Sequence, residues 1–243
     1  MNQRWFTSSS LAFWARALLR TARVNEDALD PLPSEAKLAL AWSAPPVRGP
    51  LSIVLQLDRR LARIVTRTHE PMLGQMRLAW WRDVLGKPVS ERPRGDVVLD
   101  AIGKHWNGRE AALIAMVDGW EVLMTADPLD PPAIASFGKQ RSAFFGALVE
   151  GHLMPVERDA MTAAAYRWAL ADAASRVSDA AEREALIAAG VAISCSGARL
   201  PKALRGLAVL DALSKRALRC GGRPLMEGRG APFVAMKAAI LLK

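Results

Sequence analysis

His69-Glu70-Pro71-Met72-Leu73-Gly74-Gln75-Met76-Arg77-Leu78-Ala79-Trp80-Trp81-Arg82-Asp83-Val84-Leu85 is the stretch whose reading decides the fold. Pro71 suits the first turn of a helix, where its missing N–H costs nothing, Glu70 complements the positive helix start, and Gly86 with Pro88 ends the run. Met72, Met76, Ala79, Trp80 and Val84 fall on one face, while Leu78, Trp81 and Leu85 form a second apolar stripe. A helix apolar on two sides belongs inside a bundle. Gly74 is then expected to admit a neighbouring backbone. Arg77 becomes the anomaly, because a buried guanidinium needs a carboxylate or phosphate partner, and the simplest expectation stacks it on Trp81 and pairs it with Glu70.

The surroundings agree with an all-α chain. Hydrophobic residues make up 51% of the 243, yet aromatics only 6%, so Ala and Leu supply most of the apolar surface, which is helix-former composition. The formal charge of +9 points to anionic partners without choosing among nucleic acid, membrane and phosphorylated ligand. Two cysteines, Cys195 and Cys220, cannot form a disulfide framework and favour a reducing, cytoplasmic location. No apolar run is long enough to span a bilayer.

Residues 1–33 read as a basic amphipathic segment and linker, with Arg4, Arg16, Arg20 and Arg23 set among Trp5, Phe6, Phe13 and Trp14 and no acid before Glu26. An interfacial helix and a long translation start without structural role both fit that segment. Residues 34–243 read as one helical domain. Helices are expected from Ser34 to Trp42, from Leu51 to Thr68 after a break at the prolines of 44–50, and over 96–106, 110–125, 133–151, 156–177, 182–195, 201–220 and 232–242. The helix from Leu51 carries Leu51, Val54, Leu55, Asp58, Leu61, Ala62 and Val65 on one stripe, with Asp58 its sole acid. The helix over 201–220 is basic and amphipathic; its apolar face suits either the bundle or an anionic membrane surface.

Sites for metal or nucleophilic chemistry are scarce. His69, His105 and His152 have no spaced His, Cys or Glu partner, and no Walker, Rossmann or Gly-x-Ser-x-Gly pattern occurs. The run Gly221 to Gly230 reads as a basic glycine-rich turn, the alternative being a loop that wraps a phosphate with backbone N–H groups and two arginines.

Arg77-Leu78-x-Trp80-Trp81-Arg82-Asp83-x-Leu85 after Glu70-Pro71, with Leu57-Asp58-x-x-Leu61 upstream and Val117-Asp118-Gly119-Trp120-Glu121 downstream, resembles the squalene/phytoene synthase family, most closely its branch related to the mitochondrial respiratory complex I assembly factor. The resemblance spans roughly Pro33 to Leu210. It implies an isoprenoid-synthase-like helical bundle around a central cavity, with Arg77, Trp80, Trp81, Arg82 and Glu121 as cavity or binding residues.

Active members of that family hold Mg²⁺ between two Asp-x-x-x-Asp-type motifs on facing helices, and the ions grip a prenyl diphosphate. The corresponding positions here are degenerate. Asp58 is followed by Arg59, Arg60, Leu61 and Ala62; Asp172 meets Arg176 four residues on, and Asp179 meets Arg183. Acid beside base at helical spacing is a salt-bridge pattern. The one full match, Asp96-Val97-Val98-Leu99-Asp100, follows Pro93 and Gly95 and reads as a capped helix start. The expected function is therefore a non-catalytic binding or assembly factor without a cofactor, taking an isoprenoid or lipid ligand, a protein partner or an anionic membrane surface. The alternative is a Mg²⁺-dependent prenyltransferase using Asp58 and Asp172. A nucleic-acid role rests on charge alone and lacks a docking motif.

Overall fold

A computed structural model of the chain describes residues 29, 31–68, 70–149, 151–194 and 198–242, and all regular structure among them is helical. In chain order the α-helices are α1 (Ser34–Trp42), α2 (Pro45–Arg67), α3 (Pro71–Gly86), α4 (Val97–His105), α5 (Glu110–Thr125), α6 (Pro131–Ser142), α7 (Phe144–Ala147), α8 (Pro155–Ala174), α9 (Ala180–Val191), α10 (Arg205–Arg219) and α11 (Ala231–Leu241). The basic segment 1–24 lies outside the described residues.

The long helix α2 touches α1, α3, α4 and α5, and residues 53–58 and 60–62 are buried without interruption. Its burial on nearly every side goes beyond the single stripe expected from sequence. The break after α1 is confined to Ser43 and Ala44, so α2 begins at Pro45 rather than Leu51 and Pro50 lies inside it. Pro45 and Pro46 occupy its first turn, where no N–H is required, while Arg48 N–H still bonds to the Ala44 carbonyl. Trp106 then donates from Nε1 to the carbonyl of Pro50 at 3.0 Å, fixing the start of α2 against the end of α4.

Around α2 the helices pair in two groups: α5 packs on α3 and α6, and α8 packs on α6, α9 and α10. Two glycines permit close approach of a neighbouring helix backbone. A Cβ on Gly119 of α5 would lie 2.9 Å from the backbone nitrogen of Arg141 on α6, and one on Gly206 of α10 would meet the Ala39 carbonyl of α1. The segment expected to be helical over 133–151 is interrupted at Ala143, between α6 and α7. Phe144 and Phe145 there turn inward onto Trp168, at ring separations of 5.8 and 5.5 Å.

Helix α3 is more one-sided than its sequence suggests. The Leu78, Trp81, Leu85 stripe is buried, with Gly74 and Val84 beside it. Met72 is 73% exposed and Met76 41%, and Ala79 also faces outward. The Met face was expected in the core and is not there. Gly74 admits the side chain of Met124 rather than a backbone. Helix α10 buries Leu207, Leu210, Leu213 and Leu218, so its apolar face belongs to the bundle and is not free for a membrane.

Candidate functional site

Asp58 sits on α2 with Val54, Leu61 and Ala62 as helical neighbours, all buried, so its carboxylate must face the interior. Asp172 sits on α8 one turn after Trp168 and one before Arg176, and is likewise buried. Between them stands Arg141 of α6, buried at 1% exposure. Its Nε donates to Asp58 Oδ1 at 2.9 Å and its Nη2 to Asp58 Oδ2 at 2.8 Å. The same Nη2 donates to Asp172 Oδ2 at 2.6 Å, and Nη1 to the Ala169 carbonyl at 2.9 Å.

The remaining contacts complete a closed network. Trp120 Nε1 donates to Asp58 Oδ1 at 2.9 Å, and Arg176 Nη2 to Asp172 Oδ1 at 2.8 Å. The Arg141 guanidinium carbon lies 4.5 Å from the Trp120 ring centroid and 4.7 Å from that of Trp168, with Phe137 at 5.7 Å. Aromatic faces carry negative charge density, so they favour a cation that burial would otherwise penalise. Two carboxylates and two guanidiniums leave the cluster without net charge.

Burial alone would push Asp172 up, but Arg141 and then Arg176 outweigh it and hold the carboxyl down to about 2. Burial works against the charge of Arg141 as well, and the two aspartates overcome it, raising the guanidinium above its ordinary value. Glu35 of α1 behaves differently: burial raises its carboxyl, its own backbone hydrogen bond lowers it, and the negative Asp172 adds to the rise. Glu35, Arg59, Asp58, Asp172 and Arg176 line a cleft whose volume is about 30 Å³. That is room for water, far below the roughly 300 to 1,000 Å³ of sites that enclose organic ligands. Where a metal pair would need open carboxylate oxygens, guanidinium hydrogens already occupy them, and this donor set does not fit Mg²⁺. Among the described residues there is no group of three or more His, Cys, Asp or Glu able to hold a metal ion.

The other residues singled out from sequence do not join this cluster. Arg82 pairs with Asp118 at 2.6 Å and with Glu121, tying α3 to α5. The hydrogen bond to Glu121 raises the Arg82 guanidinium, partial burial opposes it, and Asp118 adds to the rise. These side chains are about one third exposed, so solvent screening limits each pair to under about 1 kcal/mol. Trp81 is buried and meets Trp80 edge-on, with ring centroids 5.1 Å apart. Arg77 is exposed, and its hydrogen bond is a long one of 3.4 Å to Thr68 Oγ1. The expected buried pair of Arg77 with Glu70 is absent, because α3 turns that face to solvent.

The acid and base spacings divide. Asp172 and Arg176 pair as expected. Arg183 instead donates to the Val177 carbonyl, while Asp179 caps α9 through the Glu182 N–H. Asp96 caps α4 by accepting from Leu99 N–H at 2.8 Å, as its sequence context suggests, and also pairs with Arg60.

Arg141 was missed. Its signal was nonetheless present: Phe137, Gly138, Phe144 and Phe145 occupy the positions three and four residues away on either side, so one base lies in the middle of an apolar face. Arg167 repeats the pattern. It is set among alanines and Leu170, and pairs in the interior with Asp211, which also accepts from Lys215 at 2.7 Å. No protein-family model, no curated protein and no solved structure matches this chain.

Proposed function

We propose that this protein is a non-catalytic relative of the squalene/phytoene synthases that acts by binding, as an assembly or scaffold factor. The observation that carries the reading is the bridge from Asp58 through Arg141 to Asp172. In the family that the sequence resembles, carboxylates at these two positions hold metal ions between facing helices. Here a side chain of the protein supplies the positive charge in their place, with four hydrogen bonds and two aromatic walls. Removing that guanidinium from its partners to admit an ion would leave a charge stranded in the interior, at a cost of several kcal/mol.

The outer surface offers a place for binding. Met72 and Met76 present flexible apolar side chains on the exposed face of α3, with the cation of Arg77 in the same turn. Methionines adapt to irregular partners and are over-used on such contact faces. A protein partner suits this patch.

The experiment is incubation of the purified protein with Mg²⁺ and farnesyl or geranylgeranyl diphosphate, reading diphosphate release. The expected result is release no faster than without protein. Release that disappears in Asp58→Ala or Asp172→Ala would overturn the proposal in favour of a prenyltransferase.

A further inference from the structure

Helix α11 buries a face of small residues, Ala231, Ala235, Ala238 and Ala239, and packs on α10. Its opposite face is apolar and exposed. Phe233 is 70% exposed and Ile240 65%, with Met236 and Leu241 beside them. These positions recur at three, four, seven and eight residues, so they make one stripe along the helix, and Lys237 lies within it.

The stretch of sequence that carries this stripe is as uneven in charge as the helix is in polarity. From Arg199 to Lys243 the sequence has ten bases against two acids, Asp211 and Glu227, a net +8 out of the chain's +9. Neither acid offsets the stripe. Asp211 is buried in its pair with Arg167, and Glu227 is bridged by Arg223 at 3.1 Å. Residues 228–243 contain no acid.

We infer that α11 is an interfacial helix that docks the protein onto an anionic lipid surface. Phe233, Met236, Ile240 and Leu241 would enter the boundary between headgroups and acyl chains. Lys237 would extend its apolar stem along them and leave its ammonium at the phosphates. A convex stripe of one helix matches a planar lipid boundary. With residues 199–243 strongly basic and both of their acids paired, the stripe is drawn to negative headgroups and released by salt. The inference stands apart from the non-catalytic reading, since it uses none of the residues of the Arg141 cluster.

The test is flotation of the full chain with vesicles of phosphatidylcholine alone or containing about one third phosphatidylserine. The comparison protein carries Phe233→Ser, Met236→Ser and Ile240→Ser, and circular dichroism confirms that it remains folded. The three side chains are about half exposed or more, so their replacement removes little packing. Binding to the phosphatidylserine vesicles is expected to exceed that to phosphatidylcholine, to weaken with salt, and to fall about tenfold or more in the triple variant. Equal binding to both vesicles, no binding to either, or undiminished binding of the folded triple variant would overturn the assignment. So would a preference for soluble polyanions such as heparin that the triple substitution leaves unchanged while vesicles go unbound.

Discussion

Arg141 and Asp58, 83 residues apart in the sequence, meet as a two-pronged ion pair in the interior, with Nε and Nη2 each facing one carboxylate oxygen. The pair joins α6 to α2, and the extension to Asp172 brings in α8. One guanidinium thus sets the relative position of three helices. Its removal is expected to be felt in the fold before any ligand is considered.

Arg141→Met should destabilise the protein by about 3 to 5 kcal/mol, because it leaves the Asp58 carboxylate buried with only the Trp120 N–H as its partner. Replacing both partners, as in Arg141→Met with Asp58→Leu, should cost less than Arg141→Met alone, since Asp172 keeps Arg176. Urea unfolding of the single and double variants measures the difference.

Gly119→Ala acts on the same pair through the backbone of α6. The new methyl would lie 2.9 Å from the Arg141 backbone nitrogen and 3.2 Å from the Phe137 carbonyl, neither of which can rotate away. A loss of about 1 to 3 kcal/mol in unfolding free energy is expected, read from the denaturant midpoint.

The pH dependence follows from Asp172. Its folded carboxyl titrates at about 2, below the ordinary 3.8, so its contribution is fully present above pH 3.8 and is lost as pH falls toward 2. The span corresponds to roughly 2 kcal/mol. Asp172→Asn should flatten this acid limb when unfolding is followed across that window. Glu35 has the opposite sign: its raised carboxyl favours the folded state at low pH and weakens it as pH rises above 4.5.

Arg77→Met should shift stability by no more than about 0.5 kcal/mol, the scale of exposed substitutions without a strong partner. A loss of several kcal/mol would instead restore a buried role for Arg77.

The helices were legible because α1, α4, α5 and α11 announce themselves by period, caps and flanking prolines, all of them local. What periodicity leaves open is which of two apolar faces turns inward. On α3 both were apolar, and packing against α5 and α2 buries the Trp81 stripe and leaves Met72 outside. The partner of Asp58 was illegible for the same reason. Its near neighbours in sequence include Arg59 and Arg60, yet the base that meets it comes from another helix. Asp172 with Arg176 could be read, because four residues on a helix bring side chains together without any knowledge of the fold.

The most direct test of the occupied-carboxylate reading is calorimetric titration of the full chain with Mg²⁺, alone and with farnesyl diphosphate present. No saturable heat is expected at millimolar Mg²⁺, since Arg141 already holds the oxygens of Asp58 and Asp172. Saturable binding that is lost in both Asp58→Asn and Asp172→Asn would contradict it.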